Sequence, residues 1–213
     1  MAACLMLIAI FSERCHELYL YEYKGSSIVL LTGLNGGSAT GFQVQAASGE
    51  LFIMTNRHVC DGLVDKEPVV MYEVNGFLGM SSVVYRDTKA DLCLLEPATG
   101  IRPLDIASKV YGKEKLALIG YPGGRGLSYE TGFFVENTMI PIANYCYDNI
   151  KELCDYHYET YHINVISYGG NSGSPILDVF GNVVAVLFAG RRDQPTATHA
   201  VPLTEIQRVL EAH

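Results

Sequence analysis

One short segment of the chain carries the residue types needed for nucleophilic chemistry. Ser172 lies in the run 169–174, Gly-Gly-Asn-Ser-Gly-Ser, with glycines before and after it. Because glycine tolerates sharp turns, such a loop can expose the hydroxyl and direct backbone N–H groups at an incoming carbonyl oxygen. A serine hydroxyl attacks a carbonyl only when a base accepts its proton. A histidine and a carboxylate that orients it are therefore expected elsewhere in the chain.

Both groups occur upstream of the serine. His58 follows the apolar run 51–54, which predicts a strand that ends in a polar turn presenting the imidazole. Asp91 begins a second strand, 91–95, whose remaining residues are apolar. A lone carboxylate there is costly to bury unless it is hydrogen-bonded. An imidazole N–H would satisfy it and would leave the other ring nitrogen free to accept the serine proton.

Three segments around these residues resemble the catalytic blocks of chymotrypsin-like serine peptidases, in that family's order of His, Asp and Ser. The segments are 55–59, 90–95 and 170–175. Asn171 precedes the serine, as in the bacterial HtrA-type and glutamyl-endopeptidase-like branch, where the trypsin branch has aspartate. The resemblance covers residues 26–211 and predicts a protease domain only.

The resemblance implies a serine endopeptidase that cleaves polypeptides through an acyl-enzyme intermediate, with no cofactor and no metal. Ser172 would be the nucleophile, His58 the base, and Asp91 the group that orients the imidazole. The backbone N–H groups of Gly170 and Ser172 would form the oxyanion hole. The alternative is a catalytically inactive homologue that acts as a protein-binding module.

The resemblance also assigns a pocket for the substrate residue that precedes the cleaved bond. Its lining residues would be Ile166, Ser167, Leu187, Phe188, Ala189 and Gly190. Glutamyl endopeptidases have a histidine at the position of Leu187, where it receives an acidic substrate side chain. Here that position is apolar, and none of the other lining residues is charged. Since a charged side chain would be desolvated there without compensation, we expect a preference for small or medium aliphatic residues.

The predicted fold is all-β, with two six-stranded antiparallel β-barrels followed by a C-terminal helix. The resemblance implies the barrels, and 21 glycines, 14 tyrosines and many Val/Ile runs favour strands. The first barrel is expected over residues 26–104 and carries His58 and Asp91. The second is expected over residues 112–202 and carries Ser172.

Helical spacing predicts an amphipathic helix over residues 203–213. Its apolar face consists of Leu203, Ile206, Val209 and Leu210. Thr204 and Gln207 have the spacing of a capping box, which would place the first helical turn just after Thr204.

Charge and hydropathy restrict the partners and the location. The net charge is −8 without a basic cluster, which argues against binding nucleic acid or an anionic membrane surface. Within the N-terminal segment 1–25, the apolar run 2–11 is too short to span a bilayer. It is either an export signal or a segment packed on a barrel. We favour export, hence a secreted or periplasmic protein, with a cytoplasmic location left open; the sequence does not indicate the oligomeric state.

Six cysteines leave several pairings open. Cys146 and Cys154 close a short loop in the tyrosine-rich, acidic insertion 141–159 and are the favoured pair. Cys60 and Cys93, each two residues past His58 or Asp91, are either bonded to one another or buried free thiols. A zinc site is disfavoured, because its spacing fits no common module; the residues considered for it are Cys146, Cys154, His157 and His162.

Overall fold

The computed structural model describes residues 14–33, 36–63, 69–141, 157–190 and 196–213. Within these ranges, twelve antiparallel strands close into two barrels of six, which confirms the predicted all-β architecture. The first barrel contains β1 (Ile28–Thr32), β2 (Ser38–Gln45), β3 (Leu51–Thr55), β4 (Val69–Val74), β5 (Phe77–Arg86) and β6 (Cys93–Leu95). A short helix, α1 (Arg57–Leu63), follows β3.

The second barrel repeats the strand order of the first. Around the first barrel the order is β1-β2-β3-β6-β5-β4, and around the second it is β7-β8-β9-β12-β11-β10. These strands are β7 (Lys115–Gly120), β8 (Ser128–Pro141), β9 (His157–Asn164), β10 (Pro175–Leu177), β11 (Val183–Gly190) and β12 (Ala197–Pro202). The two halves of the chain therefore share a topology although no sequence repeat is visible.

Strands at the junction of the barrels are buried on both faces. On β1, Val29 packs inside the first barrel, whereas Ile28 belongs to an apolar cluster that both barrels share. On β7, Leu118 lies inside the second barrel and Ile119 lies in the shared cluster. Since adjacent strand residues point to opposite faces, these strands read as continuous apolar runs.

The connection between the barrels is hydrogen-bonded to each of them. Leu104 forms a parallel bridge with Val44 of β2, and Ile106 forms one with Val183 of β11. Gln43 also donates from its amide to the carbonyl of Ile101, at 2.7 Å. The linking segment therefore helps to fix how the barrels dock.

The N-terminal segment 14–24 packs on the barrels. Residues 14–19 are helical and continue into a π-helical segment, Leu20–Lys24. Leu20 is buried in the shared cluster, and Lys24 pairs with Asp105 at 3.5 Å. The run 2–11, on which the export alternative rests, lies outside the described residues. Within the described part of the chain, no helix has the length and apolarity needed to cross a membrane.

The C-terminal helix α2 (Leu203–Glu211) buries the four apolar residues that its spacing indicated. The predicted capping box is wrong. Strand β12 runs to Pro202, which is the N-cap and makes no side-chain capping bond, so Thr204 already lies inside the helix. Gln207 donates instead to the carbonyl of Ala107, at 3.0 Å, and so ties α2 to the connection between the barrels.

Helix α2 is also joined to the first barrel by an ion pair with a buried carboxylate. The guanidinium of Arg208 donates to both oxygens of Asp87, at 3.1 Å and 2.7 Å. Asp87 further accepts the hydroxyl of Tyr85 and the backbone N–H groups of Lys89 and Ala90. Burial alone would raise the pKa of Asp87, but the hydrogen bonds from Arg208, Ala90 and Tyr85 outweigh it and hold the pKa below its ordinary value.

We expect Arg208→Met to lower the free energy of unfolding at neutral pH by about 3 kcal/mol, because it leaves a buried carboxylate without its cation. The pKa of Asp87 is lower in the folded than in the unfolded state. The stabilisation that ionised Asp87 contributes to the free energy of unfolding is therefore present above the unfolded pKa, about 4. It is lost as the pH falls through the folded pKa. Urea titrations of wild type and variant should converge in acid.

Arg86→Met is the matched control, since the Arg86–Asp61 pair at 2.9 Å is partly exposed. Its cost should stay below about 1 kcal/mol. Equal destabilisation by the two substitutions at neutral pH would contradict the role given to Arg208.

Candidate active site

Strand β3 and helix α1 position His58. A fully buried residue, Asn56, separates them, and its side-chain amide donates to the carbonyl of Asp91 at 2.9 Å. The sequence predicted a turn at this point, but Arg57 begins a helix and His58 lies in its first turn. Asn56 thus ties the segment of the histidine to the segment of the aspartate.

Two hydrogen bonds join His58 to Asp91. One carboxylate oxygen lies 2.6 Å from Nδ1 of the imidazole, and the other accepts the backbone N–H of His58 at 2.9 Å. The side chain of Asp91 is 8% exposed and that of His58 is 22% exposed. Because Nδ1 faces the carboxylate, Nε2 is the ring nitrogen available to a further partner.

The surroundings of His58 act on its pKa in opposite directions. Burial lowers the pKa because it disfavours the charged imidazolium, whereas the charge and hydrogen bond of Asp91 raise it. The charge of Asp61 adds a smaller increase, and the net pKa lies above the ordinary value of histidine. The imidazole is therefore a stronger base than it would be in water.

A disulfide locks the same two segments together. Cys60 in α1 is bonded to Cys93, the first residue of β6, and their Cα atoms lie 6.6 Å apart. This bond resolves the alternative that the sequence left open between a pair and two free thiols. The favoured pair, Cys146 and Cys154, lies outside the described residues; Cys15 is an exposed free thiol.

The loop that carries Ser172 (the Ser172 loop, residues 168–174) begins with a β-turn. The N–H of Asn171 donates to the carbonyl of Tyr168 at 3.1 Å, and Gly170 has φ +94°. A positive φ at the third position is the mark of a type II turn, which favours glycine there. A Cβ at Gly170 would also press on the N–H of Gly123, so the position requires glycine for space as well.

Every carbonyl from residue 169 to residue 172 accepts a hydrogen bond. The donors, in chain order of the acceptors, are the N–H of Gly123 (2.6 Å), the hydroxyl of Thr40 (2.9 Å), the N–H of Ser174 (2.9 Å) and the N–H of Thr40 (2.9 Å). In a trans peptide the C=O and the following N–H point in opposite directions. These bonds therefore also set the direction of each loop amide.

The amides of Gly170 and Ser172 have no acceptor within the described ranges, as is also true of Tyr168 and Gly169 at the start of the loop. The other amides are hydrogen-bonded, since Asn171 donates within the turn and Gly173 donates to the carbonyl of Leu187 at 2.9 Å. The amides of Gly170 and Ser172 are those that the sequence predicted for an oxyanion hole, and they are available to an external oxygen.

A close approach between the barrels brings this loop to the segment of His58. Gly173 has φ +83°, and a Cβ on it would collide with the carbonyl of Thr40 and the hydroxyl of Thr55. Thr55 ends β3, three residues before His58. The hydroxyl of Ser172 makes no hydrogen bond with other described residues. Hydrogen bonds between a nucleophile and its base often form with good geometry only in the substrate complex.

The residues assigned to the pocket fall into two groups. Ile166 is 37% exposed, Ala189 is partly exposed and Gly190 is exposed, whereas Leu187 and Phe188 are buried in apolar clusters.

The floor between these residues is polar. Ser167 is buried, and its hydroxyl lies 2.7 Å from that of Thr198, which donates to the carbonyl of Val165. A Cβ on Gly190 would collide with the Ser167 hydroxyl, so the two walls touch. No sequence pattern pointed to Thr198, because its contact with Ser167 depends on how the strands pair.

Comparison with known proteins gives a consistent result. A sequence profile described as "Trypsin-like peptidase domain" matches residues 39–186. The pro-apoptotic serine protease nma111 of Neosartorya fischeri is 29% identical over 183 residues, which cover 81% of this chain but 17% of that protein. The putative protease Do-like 12, mitochondrial, of Arabidopsis thaliana is 27% identical over 205 residues, covering 93% of this chain and 39% of that protein. The chain thus spans less than half the length of these curated relatives.

Solved structures show the same fold. The active form of the Rv3671c protease from M. tuberculosis superposes with a TM-score of 0.72 at 22% identity, covering 88% of this chain and 80% of that one. Deg5 superposes with a TM-score of 0.70 at 20% identity, covering 92% of each chain.

We expect the pKa of His58 to fall in Asp91→Asn, because burial then acts without the opposing charge. Asp61→Asn should lower it by less, since Asp61 makes the smaller contribution. Titration of the imidazole Cε1–H resonances by NMR measures both shifts. Asp105→Asn, which removes a carboxylate that pairs with Lys24, is the control. An unchanged or higher His58 pKa in Asp91→Asn would contradict the pairing.

Proposed function

The chain belongs to the trypsin-like peptidase family, and we propose that it is a serine endopeptidase with Ser172 as the nucleophile. One observation carries the proposal. Ser172 follows the His58–Asp91 pair in chain order, and the carbonyls from 169 to 172 in its loop are all hydrogen-bonded. The amides of Gly170 and Ser172, which an oxyanion would need, have no acceptor among the described residues. A glycine-rich surface turn has no physical reason to combine these features.

In the proposed reaction, Oγ of Ser172 attacks the carbonyl carbon of the substrate while Nε2 of His58 accepts the hydroxyl proton. The carbonyl oxygen becomes an oxyanion that accepts hydrogen bonds from the amides of Gly170 and Ser172. His58 then donates its proton to the leaving amine as the C–N bond breaks and the acyl-enzyme forms. Water repeats the sequence, with His58 as base, to release the acid and restore Ser172.

Asp91 supports the imidazole through both protonation states. It holds Nδ1–H, which leaves Nε2 as the acceptor, and its charge stabilises the imidazolium that forms during attack. The raised pKa of His58 expresses the same stabilisation in the free protein. Each amide of the oxyanion hole is typically worth about 3 kcal/mol in the transition state.

The substrate proposal is a polypeptide with a small or medium aliphatic residue before the cleaved bond. It is supported by the floor of the pocket, where Thr198 and Ser167 are hydrogen-bonded to one another. It is supported further by the close approach of the two lining segments, since a Cβ on Gly190 would collide with the Ser167 hydroxyl. A charged side chain would find no counter-ion in this set.

The location proposal is an oxidising compartment, that is, a secreted or periplasmic protein. It is supported by the Cys60–Cys93 disulfide beside the site, since such bonds persist mainly outside reducing compartments.

We expect Ser172→Ala to lower kcat by about six orders of magnitude, as removal of the nucleophile does in comparable enzymes. The fold should be retained, because the Ser172 hydroxyl bonds to no other described residue. A fluorophosphonate probe should label wild type and the control Ser48→Ala, an exposed turn residue, but not Ser172→Ala. Undiminished hydrolysis by Ser172→Ala would refute the assignment, and an unlabelled, inert wild type would favour the binding module.

A peptide library should show at least about tenfold higher kcat/KM for small aliphatic residues than for charged or large aromatic ones before the cleaved bond. Thr198→Ala should admit longer aliphatic residues, because it removes volume and a hydroxyl from the floor. Thr160→Ala, which alters a buried threonine on β9, is the matched control. A strong preference for lysine, arginine or glutamate would overturn the pocket assignment.

A further inference from the structure

Thr40 connects three parts of the molecule from a fully buried position on β2. Its N–H donates to the carbonyl of Ser172 at 2.9 Å, and its own carbonyl accepts the hydroxyl of Thr55 at 2.7 Å. Its hydroxyl donates to the carbonyl of Gly170 at 2.9 Å and accepts the N–H of Tyr121 at 3.0 Å. A residue of the first barrel thus holds the two carbonyls that flank Asn171 in the second.

The hydroxyl of Thr40 acts on the Ser172 loop by two routes. The direct route is the bond to Gly170, which sets the peptide between Gly170 and Asn171. The indirect route begins at Tyr121, whose N–H it anchors immediately before the 3₁₀ turn Pro122–Gly124. Gly123 in that turn donates to the carbonyl of Gly169 at 2.6 Å. The peptide between Gly169 and Gly170 carries the N–H of Gly170. Because its carbonyl points toward the 3₁₀ turn, this N–H points away from that turn.

We propose that Thr40 is a positioning residue for the oxyanion hole, an inference that rests on the proposed function. Glycine has little steric preference between alternative peptide orientations, so the loop around Gly170 does not determine its own shape. The Thr40 hydroxyl supplies that determination, since a rotated peptide would leave the O–H of Thr40 and the carbonyl of Gly170 without partners in a partly buried place. Its contribution appears in the transition state, where the amide direction matters, and not in the binding of the ground state.

The test compares Thr40→Val, which keeps size and backbone N–H but removes the hydroxyl, with Thr40→Ser, which keeps the hydroxyl. We expect Thr40→Val to lower kcat about 10- to 100-fold, less than full loss of an oxyanion donor, while KM changes by less than about twofold. Thr40→Ser should stay within about threefold of wild type. Active-site titration with a fluorophosphonate probe normalises each rate to folded enzyme.

Two further measurements separate positioning from a general structural effect. The inhibition constant of a peptide aldehyde, whose hemiacetal oxygen occupies the oxyanion position, should rise in Thr40→Val by the same factor as kcat falls. The pKa seen in the pH profile of kcat/KM should stay that of wild type, because the His58–Asp91 pair is untouched. Thr160→Val is the matched control, since its buried hydroxyl bonds to the carbonyl of Thr138, at 3.1 Å, remote from the loop.

The outcomes distinguish this inference from the proposed function. If wild type is inert, or if Ser172→Ala still turns over, the proposed function fails. If wild type is active and Thr40→Val matches it in kcat, the role of Thr40 is overturned. Should Thr40→Val not fold, Thr40→Ser decides, because a fall of a hundredfold in that variant shows that the hydroxyl is not what matters. Equal losses in Thr40→Val and Thr160→Val would likewise reject it.

Discussion

The site depends on one contact across the junction of the barrels, the hydrogen bonds through which β2 holds the Ser172 loop. The loop is rich in glycine and its one large side chain, Tyr168, is exposed, so its shape depends on hydrogen bonds. Those partners are the backbone and hydroxyl of Thr40 on one side and the turn Pro122–Gly124 on the other. Each barrel is closed by its own strands, but the loop needs hydrogen bonds from both barrels.

Two buried carboxylates of one segment illustrate how charge is distributed around the site. Asp87 and Asp91 are four residues apart, and each has its own basic partner. Asp87 pairs with Arg208, a permanent cation, and its lowered pKa keeps it ionised as part of the framework. Asp91 faces His58, a base that can change its charge. The segment thus contains two different pairs. The Asp87–Arg208 pair is permanently charged and supports the fold, whereas the Asp91–His58 pair can titrate and lies near the Ser172 loop.

Sequence reasoning succeeded where chemistry or strand periodicity restricts the residue type. Strand β3 contains the apolar run 51–54 that predicted it, and His58 and Asp91 are paired as expected. It failed or stayed silent where tertiary pairing decides. The turn at His58 is a helix, the capping box at Thr204 is absent, and the partner of Cys60 was left open. The domain limits 26–104 and 112–202 and the assigned roles of the site residues stay predictions.

The two threonines that shape the candidate site show why such residues escape a sequence pattern. Thr40 acts through backbone groups about 130 residues further along the chain, and Thr198 acts through a hydroxyl on a neighbouring segment. Neither belongs to a spacing that one could search for, since any threonine in a strand looks the same. Their importance follows from which polar groups the closed barrels leave to be satisfied.

The ion pair between Arg208 of helix α2 and Asp87 of the first barrel has a consequence for folding during synthesis. On a ribosome the first barrel emerges well before the helix, so the turn that leads to Asp91 is first formed without Arg208. Only after the second barrel and α2 have left the tunnel can the guanidinium reach that turn. The ion pair that supports this turn is therefore formed only after both barrels have been synthesised.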